Sequence, residues 1–318
     1  MSGADVLLAP LFFCVMRSEI RIACPAKINL VLDVIRKRED GFHELESLMV
    51  GIGLYDSLTL KTKSAGIRIE CAEEGIPTDA SNLAYRAADL FFKQIDKPAN
   101  LTISLEKGIP AAAGLGGGSS NAAGTLKGLN ELYGFPLSHS ELTALAAQLG
   151  SDVPFFIHAL PALAHGRGEK LSEVSTLRGL DSFQCLVINP GFGVSTPWAY
   201  QSLNLQPGES TQPSTSRCQN LAMFLAAEKP SPDGFASLLY NSLEPAVISK
   251  YPWIEVAKER LRGMGAAATL MSGSGSTVFG VFPKDQDTIK LQKEVNSLFG
   301  ETCFSRVVPF LTKDSNPT

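Results

Sequence analysis

Residues 110–124 read PAAAGLGGGSSNAAG. Five of these fifteen residues are glycine, and Leu115 is the one large side chain among them. Ordering glycine costs more backbone entropy than ordering any other residue, so a run of it marks a place where something must approach the chain closely. Directly downstream, Ala122, Leu126, Leu129 and Tyr133 recur at helical spacing, which predicts a helix ending near Gly134. A glycine loop that feeds a helix N-terminus offers free backbone N–H groups and the positive end of the helix dipole. That combination holds a phosphate. The candidate cradle is Pro110, Ala111, Ala112, Ala113, Gly114, Leu115, Gly116, Gly117 and Gly118. Ser119 and Ser120 add hydroxyls that can donate to phosphate or ligate a metal. A flexible linker is the bland alternative, but a linker has no need of the helix pattern that begins at once. Two standard phosphate loops do not fit. No lysine follows the glycines as the P-loop requires, and Ser119 stands where the dinucleotide fingerprint needs its third glycine.

Upstream, residues 19–34 are β-branched and alternating and read as strands, with Pro25 marking a bend or edge. Asp40-Gly41 is a turn signal. Residues 47–60, 66–71 and 101–109 return to strand character, and residues 81–95 read as a helix capped by Ser81 or Asn82. Downstream, Ser138-x-x-Glu141 is a capping box for a helix carrying Leu142, Leu145 and Leu149, closed by Gly150. Past residue 165 come a strand in QCLVINPG, a short helix in TPWAYQSL and a helix in WIEVAKERLRGMG. A second glycine turn, Ser272–Thr277, leads into another strand. Residues 205–218 read as a mobile surface loop. The mixed order of elements predicts an α+β fold in two lobes with a boundary near 160–180.

Composition narrows the partners. The 318 residues are 44% hydrophobic and 19% charged, with net charge −4, which suits a packed domain or two. No Lys/Arg run reaches five, so nucleic acid is not expected as a partner. The apolar stretch Val6–Met16 lacks a preceding basic residue and contains Pro10, so neither a signal peptide nor a membrane span is expected. Translation from Met16 is the plainer reading. The six cysteines form no C-x-x-C pair and no metal-ligand spacing, which suits a reducing, cytoplasmic setting and buried or inert thiols.

The loop, together with PAKINLVLDV, GFHEL, LGSDVPFF and SGSGSTVF, resembles the GHMP kinases (galactose, homoserine, mevalonate and phosphomevalonate kinases). The doubled glycine before SSNAA resembles the branch that acts on 4-diphosphocytidyl-2-C-methyl-D-erythritol. The resemblance runs from about residue 20 to about residue 285 and leaves the N-terminal extension and the 205–218 loop outside it. It implies a two-lobed α+β fold, with an N-terminal lobe like ribosomal protein S5 domain 2 over 17–168 and a ferredoxin-like C-terminal lobe over 169–318. It also implies ATP and Mg²⁺ as cofactors, and phosphorylation of the substrate 2-hydroxyl in the methylerythritol phosphate route. The partner is then a small molecule carrying a cytidine diphosphate group, with the chain a monomer or homodimer.

Residues are carried over one by one. Asp152, in the turn before Pro154, is either an ordinary turn aspartate or, with the GSDVPFF match, the base for the hydroxyl proton. Lys27 is a lone lysine in an apolar strand. It either snorkels from an edge or supplies an ammonium beside the transferring phosphoryl group and orients Asp152. His43 resembles the residue that reads the cytosine edge, with Phe42 and Tyr200 as the rings that sandwich the base, unless those two are core. Asn29 shares a strand face with Lys27 and is expected at the substrate, Thr196 near the diphosphate, and Asn82 at the adenine pocket. The metal ligands are not assigned beyond a role for Ser120. His139, His158 and His165 read as structural or surface residues. The turn at Ser272–Thr277 either closes over the ligands or is a tight turn only. A homoserine- or mevalonate-type kinase is the alternative enzyme, although its small substrate has no base to stack. A non-catalytic nucleotide-binding protein would be expected to lose Lys27 or Asp152.

Overall fold

A long hairpin organises the chain. Strand β1 (Glu19–Lys37) pairs antiparallel with β2 (His43–Lys61), so that Lys27 lies opposite Gly51 and Asn29 opposite Met49. Gly41 turns the hairpin at φ +84°, a conformation that side chains resist. The expected bend at Pro25 is a register shift between Pro25 and Ala26, where the missing N–H of proline costs the ladder least. The computed structural model describes residues 17–62, 65–158, 160–174, 177–209, 216–227, 230–300 and 303–312. The extension with Cys14 and the choice of start at Met16 lie outside these residues, as does the 210–215 part of the expected mobile loop.

β3 (Gly66–Cys71) and β4 (Asn100–Glu106) are parallel neighbours joined by helix α1 (Leu83–Gln94), and β4 pairs with β2. Asn82 caps α1 by accepting from the Ala84 N–H at 2.9 Å. After the glycine loop, α2 (Gly117–Leu132) lies on the hairpin. Its small residues explain how closely it packs. A Cβ at Gly124 would sit 2.5 Å from Cys24 Sγ, and one at Gly128 would sit 2.2 Å from Ile22 Cδ1. α3 (His139–Leu149) opens with the capping box expected at Ser138 and Glu141. Gly150, Ser151 and Asp152 then turn the chain into α4 (Val153–His158), whose Phe155 and Phe156 are buried. A small hairpin, β5 (Ala162–His165) and β6 (Lys170–Glu173), attaches to β2.

The second half begins with β7 (Phe183–Asn189), then α5 (Thr196–Gln201), α6 (Arg217–Leu225), α7 (Pro232–Ala236) and the short β8 (Tyr240–Asn241), which pairs with β1. Next come α8 (Glu244–Lys250), α9 (Trp253–Gly263), β9 (Ala268–Met271), β10 (Val278–Pro283), α10 (Thr288–Phe299) and β11 (Phe304–Leu311). The antiparallel order β11-β7-β10-β9 is the arrangement expected of the ferredoxin-like lobe.

β11 joins the lobes. It pairs with β7 over Phe304–Pro309 and then with β2 at Phe310 and Leu311. Glycines in β2 permit this crossing, since a Cβ at Gly53 would lie 2.8 Å from the Pro309 ring. Beneath the joint lies a core that draws on both halves, including Ile28, Ile52, Leu115, Val187, Phe279 and Phe310. Separate apolar clusters fill the N-terminal helices and the outer face of the C-terminal sheet. Among the described residues, no helix is long and apolar enough to cross a membrane.

Candidate active site

The hairpin, the glycine loop and α5 enclose a cavity of about 840 Å³. Lys27 reaches it from the middle of β1. The residue is 4% exposed, and its side chain does not snorkel away from the sheet. A buried ammonium needs partners, and Lys27 Nζ donates to Asn29 Oδ1 at 2.7 Å and pairs with Asp152 Oδ2 at 3.4 Å. Asn29 donates in turn to Ser47 Oγ at 2.7 Å, and Ser47 to the Val31 carbonyl at 2.6 Å. This chain of donors fixes the amide oxygen of Asn29 toward the lysine. Asp152 keeps 39% of its side chain exposed, so the carboxylate is paired yet open to a ligand.

The loop stands against the second glycine turn. Lys27 N donates to Leu115 O at 3.0 Å, and Ser272 Oγ donates to Gly114 O at 3.0 Å. A Cβ on Gly114 would lie 2.3 Å from the Ser272 carbonyl oxygen, and Gly114 is at φ +76°. One on Gly116 would meet the Phe156 ring at 2.9 Å. Gly116 caps α2 in the left-handed conformation, and Ser120 N makes the first bond back to it, at 2.9 Å. The N–H groups ahead of Ser120 have no helical partner, an arrangement that suits an anion.

Pro110 through Ser119 all line the cavity, as do Asn82, Asn29, Phe42, His43, Asp152, Thr196 and Tyr200. Ser120 is not among these lining residues. It is the fourth residue of α2 and lies inside the helix contact, 1% exposed, with no hydrogen-bond partner for its hydroxyl among the described residues. Asn82 does two jobs, since its amide also donates to Pro77 O at 2.6 Å while its oxygen caps α1.

Rings gather where β2 starts. The His43 and Tyr200 rings lie 5.3 Å apart, and Phe42 is 54% exposed. The exposure removes the core reading of Phe42. Burial first, and the Lys37 charge second, hold the His43 imidazole below its ordinary range. Burial, reinforced by the Asp152 charge, pushes the Tyr200 phenol up. Thr196 and Ser274 share a hydroxyl contact at 2.9 Å, so the second glycine turn does reach the cavity. His139 and His158 contact each other at 3.1 Å and, like His165, do not line it.

One set of residues escaped the sequence reading. Asp56, fully buried on β2, accepts from the backbone N–H of Gly108 and of Ile109, each at 2.9 Å, and from Asn121 Nδ2 at 3.0 Å. Lys107 Nζ also bonds this carboxylate and lines the cavity. Asp56 therefore ties the entry of the glycine loop to the first turn of α2. Its apparent place in an alternating strand, YDSLTLK, carried no signal beyond an unpaired acid at an inward position.

The profile of the GHMP kinases N terminal domain matches residues 82–159, and that of the GHMP kinases C terminal matches residues 223–301. The chain is 40% identical over 283 residues to the 4-diphosphocytidyl-2-C-methyl-D-erythritol kinase of Geobacter sp. (strain M21), covering 89% of this chain and 96% of that protein. It is 44% identical over 271 residues to the kinase of the same name from Syntrophotalea carbinolica, covering 85% and 91%. A crystal structure of 4-(cytidine 5'-diphospho)-2C-methyl-D-erythritol kinase superposes with a TM-score of 0.70 at 33% identity, covering 91% of this chain and 99% of that one. The chain thus belongs to the GHMP kinase family, in the group of the 4-diphosphocytidyl-2-C-methyl-D-erythritol kinases.

Proposed function

We propose that this enzyme transfers the γ-phosphoryl group of ATP to the 2-hydroxyl of 4-diphosphocytidyl-2-C-methyl-D-erythritol, a step toward isoprenoid precursors by the methylerythritol phosphate route. The observation that carries the reading is the Lys27–Asp152 pair, opening into one cavity with the glycine loop at the head of α2. The loop N–H groups hold the nucleotide phosphates. Asp152 takes the proton of the substrate hydroxyl as its oxygen bonds to the γ-phosphorus, and the bond from that phosphorus to the β–γ bridging oxygen breaks to release ADP. The Lys27 ammonium aims Asp152, and it faces the negative charge of the transferring group. His43, Phe42 and Tyr200 take the cytosine, with Asn29 and Thr196 on the remainder of the substrate and Asn82 beside the adenine.

The donor set fits Mg²⁺. The buried Ser120 hydroxyl without a partner is the kind of oxygen a hard cation recruits, and Mg²⁺ needs few protein ligands beside nucleotide phosphates. Ser119, which lines the cavity, and the orphaned Ser120 hydroxyl would hold it with the phosphates, and it would supply charge neutralisation for the transferring phosphoryl group. The five described cysteines are all free, which supports a reducing, cytoplasmic location. We place the lobes at 17–168 and 169–318 and read the chain as a monomer or homodimer.

Homoserine and mevalonate lack a base for the exposed Phe42 and the His43–Tyr200 pair. The regiochemistry tests the assignment directly. In ³¹P NMR the product should show one new phosphomonoester signal beside an intact diphosphate, without splitting by a carbinol proton, because carbon 2 carries a methyl group instead. A proton-split signal would place the phosphate on another hydroxyl and contradict the reading.

A further inference from the structure

Three cationic side chains line the cavity. Two have a carboxylate partner, Lys27 with Asp152 and Lys107 with Asp56. The third is Arg167, in the turn between β5 and β6, and among the described residues it makes no ion pair. Its guanidinium lies over the exposed Phe42 ring, 4.7 Å from the centroid. The turn is anchored, since Arg167 N donates to Glu169 Oε2 at 2.7 Å and Leu45 N to Gly166 O at 2.8 Å. A cation held on an aromatic face beside a cavity, near enough to Asp40 to be felt by its carboxyl but with no carboxylate in ion-pair contact among the described residues, is arranged to meet an anion from outside the protein. The planar fork of arginine suits the paired oxygens of a phosphate better than a point charge does.

We propose that Arg167 binds the diphosphate of the nucleotide-linked substrate and is a specificity-determining residue for it. The inference rests on the substrate class stated above. Phe42 then serves two partners, stacking on the base with one part of its surface and steadying the guanidinium with another. ATP is held by the glycine loop, so Arg167 discriminates the acceptor and not the donor.

The test uses the full-length protein with Mg²⁺-ATP and compares wild type with Arg167→Gln and Arg167→Lys. Arg167 is exposed, so the variants should fold. Loss of one charge-assisted contact should raise KM for 4-diphosphocytidyl-2-C-methyl-D-erythritol about tenfold in Arg167→Gln and less in Arg167→Lys, with kcat and KM for ATP unchanged. In calorimetry, Arg167→Gln should weaken binding of cytidine diphosphate and leave cytidine binding as it was. Equal weakening for both ligands would mean that Arg167 stacks on the base, and an unchanged KM would mean that it touches neither; each result overturns the proposal. Failure of the wild type to turn over this substrate is read separately and would remove the assignment on which the proposal rests.

Discussion

In the proposed reaction Asp152 is the proton acceptor and Lys27 the fixed cation, and single substitutions separate these roles from binding. Asp152→Asn keeps the shape of the side chain and removes the base. Turnover should fall by about 10²–10⁴-fold, the usual contribution of a positioned acid or base, while ATP still binds by calorimetry. Retention of near wild-type kcat would remove Asp152 from the reaction. His43 gives a pH test. Its imidazole is held below the ordinary value of 6.5 by burial and then by Lys37, so the folded protein favours the neutral ring. As pH falls through 6.5 the unfolded chain takes up this proton first, so the His43 contribution to stability is whole above that value and declines below it. The acid limb of kcat/KM for the substrate should accordingly lie below pH 6.5 and vanish in His43→Gln. A limb that persists unchanged in that variant would assign it to another group.

At the scale of elements, the glycine loop works because its neighbours leave no room. Gly114→Ala adds a side chain at φ +76° and drives it to within 2.3 Å of the Ser272 carbonyl. It should cost about 2 kcal/mol of stability in urea denaturation and raise KM for ATP. The loop also hangs from Asp56. Asp56→Asn leaves the Lys107 ammonium buried without its counter-charge, with an expected loss of about 3 kcal/mol. Unchanged stability in Asp56→Asn would mean that the network is incidental. The sequence was informative where local chemistry decides the element. The capping box at Ser138, the cap at Asn82 and the glycine entry to α2 are all local signals. Asp56 was not legible, because its partners Gly108, Ile109 and Asn121 lie more than fifty residues away and nothing near it in the chain announces them. That the first helical turn buries the Ser120 hydroxyl, leaving the residue 1% exposed, was likewise not legible in a loop motif.

On the scale of the whole molecule, the two halves are joined by β11, which passes from the C-terminal sheet onto β2 beside Gly51 and Gly53. That joint brings α5, with Thr196 and Tyr200, over the same cavity as the loop and Lys27. The mixed element order pointed to two lobes, yet the shared sheet edge depends on long-range pairing that no local pattern encodes. The cavity thus brings the glycine loop and the aromatic residues Phe42, His43 and Tyr200 into one space, and the proposed function depends on what fills the aromatic end. The most direct measurement is ADP release from Mg²⁺-ATP by the purified protein with three acceptors: 4-diphosphocytidyl-2-C-methyl-D-erythritol, homoserine and mevalonate. Release with the first alone is the predicted result. Release with homoserine or mevalonate, or with none of the three, would contradict it.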